Sequence, residues 1–175
     1  MGCGLLGVTA AAWARSLGAE AVIACDLSPD RLDLARRFGA THAAAPDDLA
    51  RVALECTGGY GVDTALEMTG AAEAFEAVLP LLRPGGGVVL VGAVFPTRPV
   101  AIAPEQVVRR CLTLRGIHNY APAHLQAALD FLAGHPEYPF GALVADWLPL
   151  GSIERALASA GPPGRLRLGI RPGAE

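Results

Sequence analysis

The sequence predicts an α/β fold: a doubly wound parallel sheet that lacks its first, central strand. Three observations carry that prediction. A G-x-G-x-x-G run places Gly2, Gly4 and Gly7 at the head of an alanine-rich helix. A short apolar run, residues 21–25, ends on an acid, Asp26. Strand-like and helix-like stretches then alternate to residue 120, as strand–helix–strand units with right-handed crossovers require. The strand expected to lead into Gly2 is represented only by Met1.

The first helix reads from residue 5 to residue 17, with Gly18 as its stop. In such a turn Gly2 permits the tight bend, Gly4 lets a ligand approach the backbone, and Gly7 lets the helix lie close to the sheet. Free N–H groups at Leu5 and Leu6, at the positive end of the helix dipole, suit a pyrophosphate. Asp26, roughly 20 residues further on, can accept both hydroxyls of an adenosine ribose and repel a 2′-phosphate. Turn, helix, strand and acid in that order point to NAD over NADP; an ordinary strand-end carboxylate is the alternative. Ser28-Pro29-Asp30 starts a second helix that runs to Phe38 and stops at Gly39. Arg31, one turn in, reaches back to the ribose or lies in solvent.

Residues 41–45 make a short strand, residues 46–48 cap a helix to about Cys56, and residues 57–61 form a loop. A strand over 63–68 ends at Thr69-Gly70. A helix over about 71–82 leads through a turn at 83–86 into 87–92, the plainest buried strand of the chain. A Pro-rich stretch, 95–104, precedes a helix near 105–110 and a strand at 111–117. From Pro122 the pattern changes. An amphipathic helix over 124–132 carries Leu125, Ala128, Leu129 and Leu132 on one face. A strand over 143–148, a helix capped by Ser152 through Ala160, and a closing strand over 164–170 follow. The whole chain reads as one domain, with a core at 1–120 and C-terminal helices and strand at 121–175.

Composition agrees with that architecture. The 175 residues are 52% hydrophobic with mean hydropathy +0.37, the bias of a sheet covered by helices on both faces. No apolar run approaches the roughly 18 residues of a membrane span, and no secretory signal opens the sequence. The formal charge of −3 and the solvated helix pair Arg36-Arg37 offer nothing to nucleic acid. The cysteines (Cys3, Cys25, Cys56, Cys111) form no C-x-x-C pair, and the histidines (His42, His118, His124, His135) are equally scattered. No metal site is expected from them. Buried free thiols in a reducing, cytoplasmic compartment are.

The segments GCGLLG (2–7), VIACDLSPDRLDLARRFGA (22–40), GGYGVDTALEMTG (58–70), LLRPGGGVVLVG (81–92), LTLRGIHNY (112–120) and SIERALASAGPPGRLRLGI (152–170) carry a resemblance. Together they resemble the C-terminal half of the zinc-type medium-chain dehydrogenase/reductase family, the alcohol dehydrogenase group, over essentially the whole chain. The resemblance implies a Rossmann-type fold that binds NAD. Gly2, Gly4 and Gly7, with Leu5 and Leu6, would hold the pyrophosphate, and Asp26 and Arg31 the adenosine ribose. Thr69 and Gly70 would pass beside the cofactor. Val91, Gly92, Ile117 and His118 would line the nicotinamide through backbone groups, although Val91 and Ile117 also read as plain sheet core. Arg167, or Arg165 in the alternative register, would neutralise a cofactor phosphate. The implied partners are a small alcohol or aldehyde and a second copy of the chain.

In that family the N-terminal half supplies the zinc ligands, most of the substrate pocket and the proton relay. None of these is in the sequence, so zinc belongs to the intact family enzyme only, and residues 1–175 alone are expected not to oxidise alcohols. An upstream coding region is expected, holding a Val/Ile-rich strand that ends at Gly2 and a Cys and a His suited to zinc. Without that strand, polar groups left unsatisfied in the sheet centre cost roughly 1–3 kcal/mol each, against a total stability of roughly 5–15 kcal/mol. Two alternatives stand: a truncated, non-catalytic nucleotide-binding remnant, and a class I methyltransferase. Leu6 and the strand end G-I-H-N-Y weigh against the second.

Overall fold

Fourteen elements follow one another in the computed structural model, which describes residues 1–159 and 166–173. They are α1 (Leu5–Ser16), β1 (Ile23–Cys25), α2 (Pro29–Arg37), β2 (His42–Ala44), α3 (Leu49–Cys56), β3 (Val62–Glu67), α4 (Ala72–Val78) and β4 (Leu82–Leu90). Then come α5 (Pro104–Arg109), β5 (Thr113–Gly116), α6 (Pro122–Gly134), β6 (Val144–Pro149), α7 (Ile153–Ser159) and β7 (Arg167–Arg171), with short 3-10 turns between some of them. Every strand pairing among the described residues is parallel: β1 with β2, β3 with β4 with β5, and β6 with β7. The α/β class and the parallel sheet are therefore as the sequence implies.

Among the described residues no strand joins β1 to β3. Met1 lies at one end of the space between them. Its amino nitrogen donates to the Leu66 carbonyl (2.8 Å), its carbonyl accepts from Met68 N–H (3.0 Å), and Gly2 N–H donates to the Cys25 carbonyl (2.8 Å). The spatial order is thus β2, β1, Met1, β3, β4, β5, with Met1 where the central strand would end. The amino group is bonded within the sheet. The gap opens into a groove of about 1770 Å³ whose walls include Ile23, Ala53, Leu66, Val78, Leu81 and Val89.

Alternation along β1 divides the core in two. Ala24 faces a cluster with Val8 and Ala12 of α1, Ala35 of α2, and Phe38. Cys25 faces a cluster with Leu49 and Ala53 of α3, Phe75 and Val78 of α4, and Val88 of β4. Helices therefore cover both faces of the sheet.

The structure departs from the sequence expectations in several places. β4 starts at Leu82, not at 87: Val62 faces Leu82 but Thr64 already faces Gly87, so the expected turn at 83–86 is a bulge within the strand. Gly86 makes it possible, since a Cβ there would lie 2.9 Å from the Arg83 carbonyl oxygen. On α6 the expected apolar face is not the buried one. Leu125, Leu129 and Leu132 are about half exposed, while Phe131 is buried against Trp13 (ring centroids 4.8 Å apart), Tyr138 and Phe140. The larger aromatic surface wins the contact with α1. Ser28 occupies the N-cap of α2 but its hydroxyl makes no capping bond. Cys3 and Cys25 are buried as expected, whereas Cys111 is exposed. The expected helix end at Ala160, and Gly164 and Arg165, lie outside the described residues. No helix among the described residues is long and apolar enough to cross a membrane.

Candidate functional site

The three glycines of the first turn answer to different constraints. Gly2 has φ +86°, and a Cβ on it would come within 2.7 Å of Thr69 Cγ2. A Cβ on Gly7 would overlap the Gly2 carbonyl oxygen. These two are dictated by the protein's own packing, Gly7 by the turn and not by the sheet that the sequence reading assigned to it. Gly4 has ordinary extended backbone (φ −69°, ψ −168°), and nothing lies within 4 Å of where its Cβ would be. No contact among the described residues calls for a glycine there; the bare side faces open space between them. Beyond it α1 begins. Val8 N–H is bonded to the Gly4 carbonyl (3.0 Å), and the N–H groups of Leu5, Leu6 and Gly7, in the first turn, have no carbonyl one turn back. Leu6 is exposed and Leu5 packs on the core.

Asp26, directly after β1, is tied to that turn. Its Oδ2 accepts from Cys3 N–H (2.7 Å), its Oδ1 accepts from Ser28 N–H (2.9 Å), and the Arg31 guanidinium lies 3.8 Å away. The acid therefore fixes both the glycine turn and the entry to α2. Burial, with the Asp26 charge adding to it, pushes the Cys3 thiol up to about 11, and burial also raises that of Cys25. Both thiols stay protonated at neutral pH and are poor nucleophiles.

Across the gap, Thr69-Gly70 follows β3 and packs on the same turn. Gly70 has φ +79°, and a Cβ there would stand 2.6 Å from the Gly92 carbonyl oxygen. Val91 and Gly92 donate their N–H groups to the Glu67 carbonyl (2.8 and 3.0 Å), and Ile117 N–H donates to the Leu90 carbonyl (3.1 Å). Val91 and Ile117 border the groove that also reaches Gly2 and Leu6, and His118 is exposed. The structure thus brings the glycine turn, Asp26, Arg31, Thr69, Gly70, Val91, Gly92 and Ile117 to the carboxyl ends of parallel strands, where open α/β sheets bind ligands. Arg167, on β7, is exposed, and its guanidinium bonds the neighbouring Leu166 carbonyl (2.9 Å). Leu166 packs on the cluster that contains Cys3; no described bond joins Arg167 to the turn.

The sequence reading missed Glu67. It is the buried charged residue of the described part, 1% exposed, and its Oε1 accepts from Thr69 N–H (2.6 Å), the Thr69 hydroxyl (2.5 Å) and Gly70 N–H (2.9 Å). The available signal was an acid inside an apolar strand, two residues before Thr69. Among the described residues no three His, Cys, Asp or Glu side chains come together as a group that could hold a metal ion.

A family model described as zinc-binding dehydrogenase matches residues 6–134. L-Threonine 3-dehydrogenase of Anaeromyxobacter sp. strain K is 42% identical over 142 residues, covering 75% of this chain and 41% of that protein. The crystal structure of an alcohol dehydrogenase from Thermotoga maritima superposes with TM-score 0.91 at 30% identity, over 98% of this chain and 48% of that one. A zinc-binding dehydrogenase from Sinorhizobium meliloti 1021, solved with NADP, shares the fold with TM-score 0.85 at 24% identity, over 97% of this chain and 50% of that one. The chain spans about half the length of these structures, and less of the curated relative.

Proposed function

The chain belongs to the zinc-binding dehydrogenase family, and we propose that residues 1–175 bind NAD for an alcohol dehydrogenase-like oxidoreductase. The intact enzyme would move a hydride between a small alcohol or aldehyde and the nicotinamide. The observation that carries this reading is Gly4: an open cradle at the amino end of α1, with no packing reason among the described residues to be glycine. Its missing Cβ makes room for a pyrophosphate on the N–H groups of Leu5, Leu6 and Gly7, at the positive end of the helix dipole. Residues 1–120 form the nucleotide-binding core in this reading, and residues 121–175 complete the domain. The free cysteines suit a cytoplasmic setting, and a second copy of the chain remains a candidate partner.

NAD, when bound, supplies the ring that accepts or gives the hydride. The chain's own residues bind and orient it. Asp26 accepts the ribose hydroxyls, held in place by its bonds from Cys3 and Ser28, and Arg31 closes over the same ribose. Thr69, Gly70, Val91, Gly92, Ile117 and His118 line the path of the nicotinamide half. Arg167 neutralises a phosphate. Asp26 favours NAD over NADP, because a 2′-phosphate would meet a fixed carboxylate.

The test is fluorescence titration of the chain with NADH and NADPH, with S-adenosylmethionine as competitor. The expected result is tighter binding of NADH and no competition. Charge-assisted hydrogen bonds are worth about 1.5–3 kcal/mol, so Asp26→Ser should lose about tenfold or more in NADH affinity and clearly less in NADPH affinity, because both nucleotides lose the tie from Asp26 to the glycine turn while only NADPH is relieved of repulsion. Equal affinity of the unaltered chain for both nucleotides removes the assignment of Asp26. Displacement by S-adenosylmethionine favours the methyltransferase reading.

A further inference from the structure

The geometry points to Glu67 as a positioning residue for the nicotinamide side of the cleft, an inference that rests on the NAD reading above. A carboxylate buried in an apolar core is costly unless its acceptor positions are filled. Here one oxygen takes three donors, all from the turn that follows β3: Thr69 N–H, the Thr69 hydroxyl and Gly70 N–H. The Thr69 hydroxyl oxygen accepts in turn from Ala71 N–H (2.9 Å), at the start of α4. The main-chain carbonyl of Glu67 holds Val91 and Gly92. One residue therefore clamps two segments, 69–70 by its side chain and 91–92 by its backbone.

Clearances between these segments leave no slack. Gly2 admits no Cβ beside the Thr69 methyl, Gly70 none beside the Gly92 carbonyl, and Gly92 none beside Gly70 N. A shift of the Thr69–Gly70 turn must therefore displace the floor between the pyrophosphate turn and the residues proposed to line the nicotinamide. Asp26, by contrast, directly follows β1 across the gap, with one oxygen held by Ser28 N–H and the other by Cys3 N–H, and makes no described bond to the Thr69–Gly70 turn. Releasing the turn should loosen one half of the cofactor site and spare the other.

The experiment compares the full chain with Glu67→Ala, Glu67→Asp and Glu67→Gln, titrating each with NADH and with AMP, and following amide exchange of Gly70 without cofactor. Removal of three hydrogen bonds to one acceptor should weaken NADH binding about tenfold or more in Glu67→Ala, with AMP changed by less than about twofold. Glu67→Asp, one methylene too short, should resemble Ala. Glu67→Gln keeps a carbonyl oxygen in reach of the same donors and should restore NADH binding to within about threefold. Gly70 N–H should exchange at least about tenfold faster in Glu67→Ala. Equal losses for NADH and AMP, unchanged NADH binding in Glu67→Ala, or no rescue by Gln would overturn the proposal, as would unchanged Gly70 exchange. Failure of the unaltered chain to bind NADH would count against the NAD reading itself; the Gly70 exchange readout needs no cofactor and decides separately whether Glu67 holds the turn.

Discussion

Gly4 and Gly7 are one residue type held for opposite reasons, and the difference is measurable. A Cβ at Gly7 would overlap the Gly2 carbonyl oxygen, so the turn must move to admit it. Gly7→Ala should destabilise the fold by about 1–3 kcal/mol, lowering Tm by about 2–4 °C for each kcal/mol in a chain of this size. Gly4→Ala meets open space at extended backbone angles and should leave Tm within about 2 °C while weakening NADH binding. Thermal unfolding followed by circular dichroism separates the two. Similar Tm losses in both variants would mean that Gly4 serves packing, and the cradle would lose its main support.

The elements with the fewest backbone partners are β1 and β3, whose facing edges are bonded, among the described residues, by Met1 and Gly2 alone. Cys25 O and Leu66 O accept from Gly2 and Met1, so with strand periodicity Ile23, Cys25, Thr64 and Leu66 turn their N–H groups into the gap. Ala24 and Ala65 turn theirs toward β2 and β4. Hydrogen exchange should therefore be fast at Ile23, Cys25 and Thr64 and slow at Ala65. Addition of an upstream apolar strand to the chain should slow the first group selectively. Uniform protection in residues 1–175 would show that the gap is closed in solution.

The ends of α1 and α2 were legible in the sequence because a single physical demand marked them, whereas α4 stops at Val78, short of the expected 82. Gly18 and Gly39 take φ +88° and +91°, which few other residues tolerate. The glycine turn and Asp26 were legible for the same reason, since tight geometry at fixed spacing leaves a compositional trace. The start of β4 was not, because Pro84-Gly85-Gly86 reads as a turn whether it separates elements or bulges within one. Nor was the buried face of α6, where leucine periodicity competed with Phe131 and lost to an aromatic cluster assembled from distant segments. Glu67 was hidden because its three bonds are local and leave no periodic signature.

At the scale of the whole molecule, the proposed NAD cleft stands without a group of His, Cys, Asp or Glu side chains that could hold a metal ion among the described residues. Purified residues 1–175 with NAD, zinc and a panel of alcohols should therefore produce no NADH absorbance at 340 nm; turnover abolished by replacing Gly4 with valine would show that the chain holds catalytic groups beyond those described. The central claim, that the glycine turn binds NAD, is tested most directly by mapping NADH-induced changes in the amide NMR spectrum. The predicted result is a saturable set of shifts at Gly4, Leu5, Leu6, Gly7, Asp26 and Gly70, with His42 to Ala44 of the outer strand unmoved. Shifts confined to Ile23, Leu66 and Val89 in the groove between β1 and β3, or none at all, would contradict it.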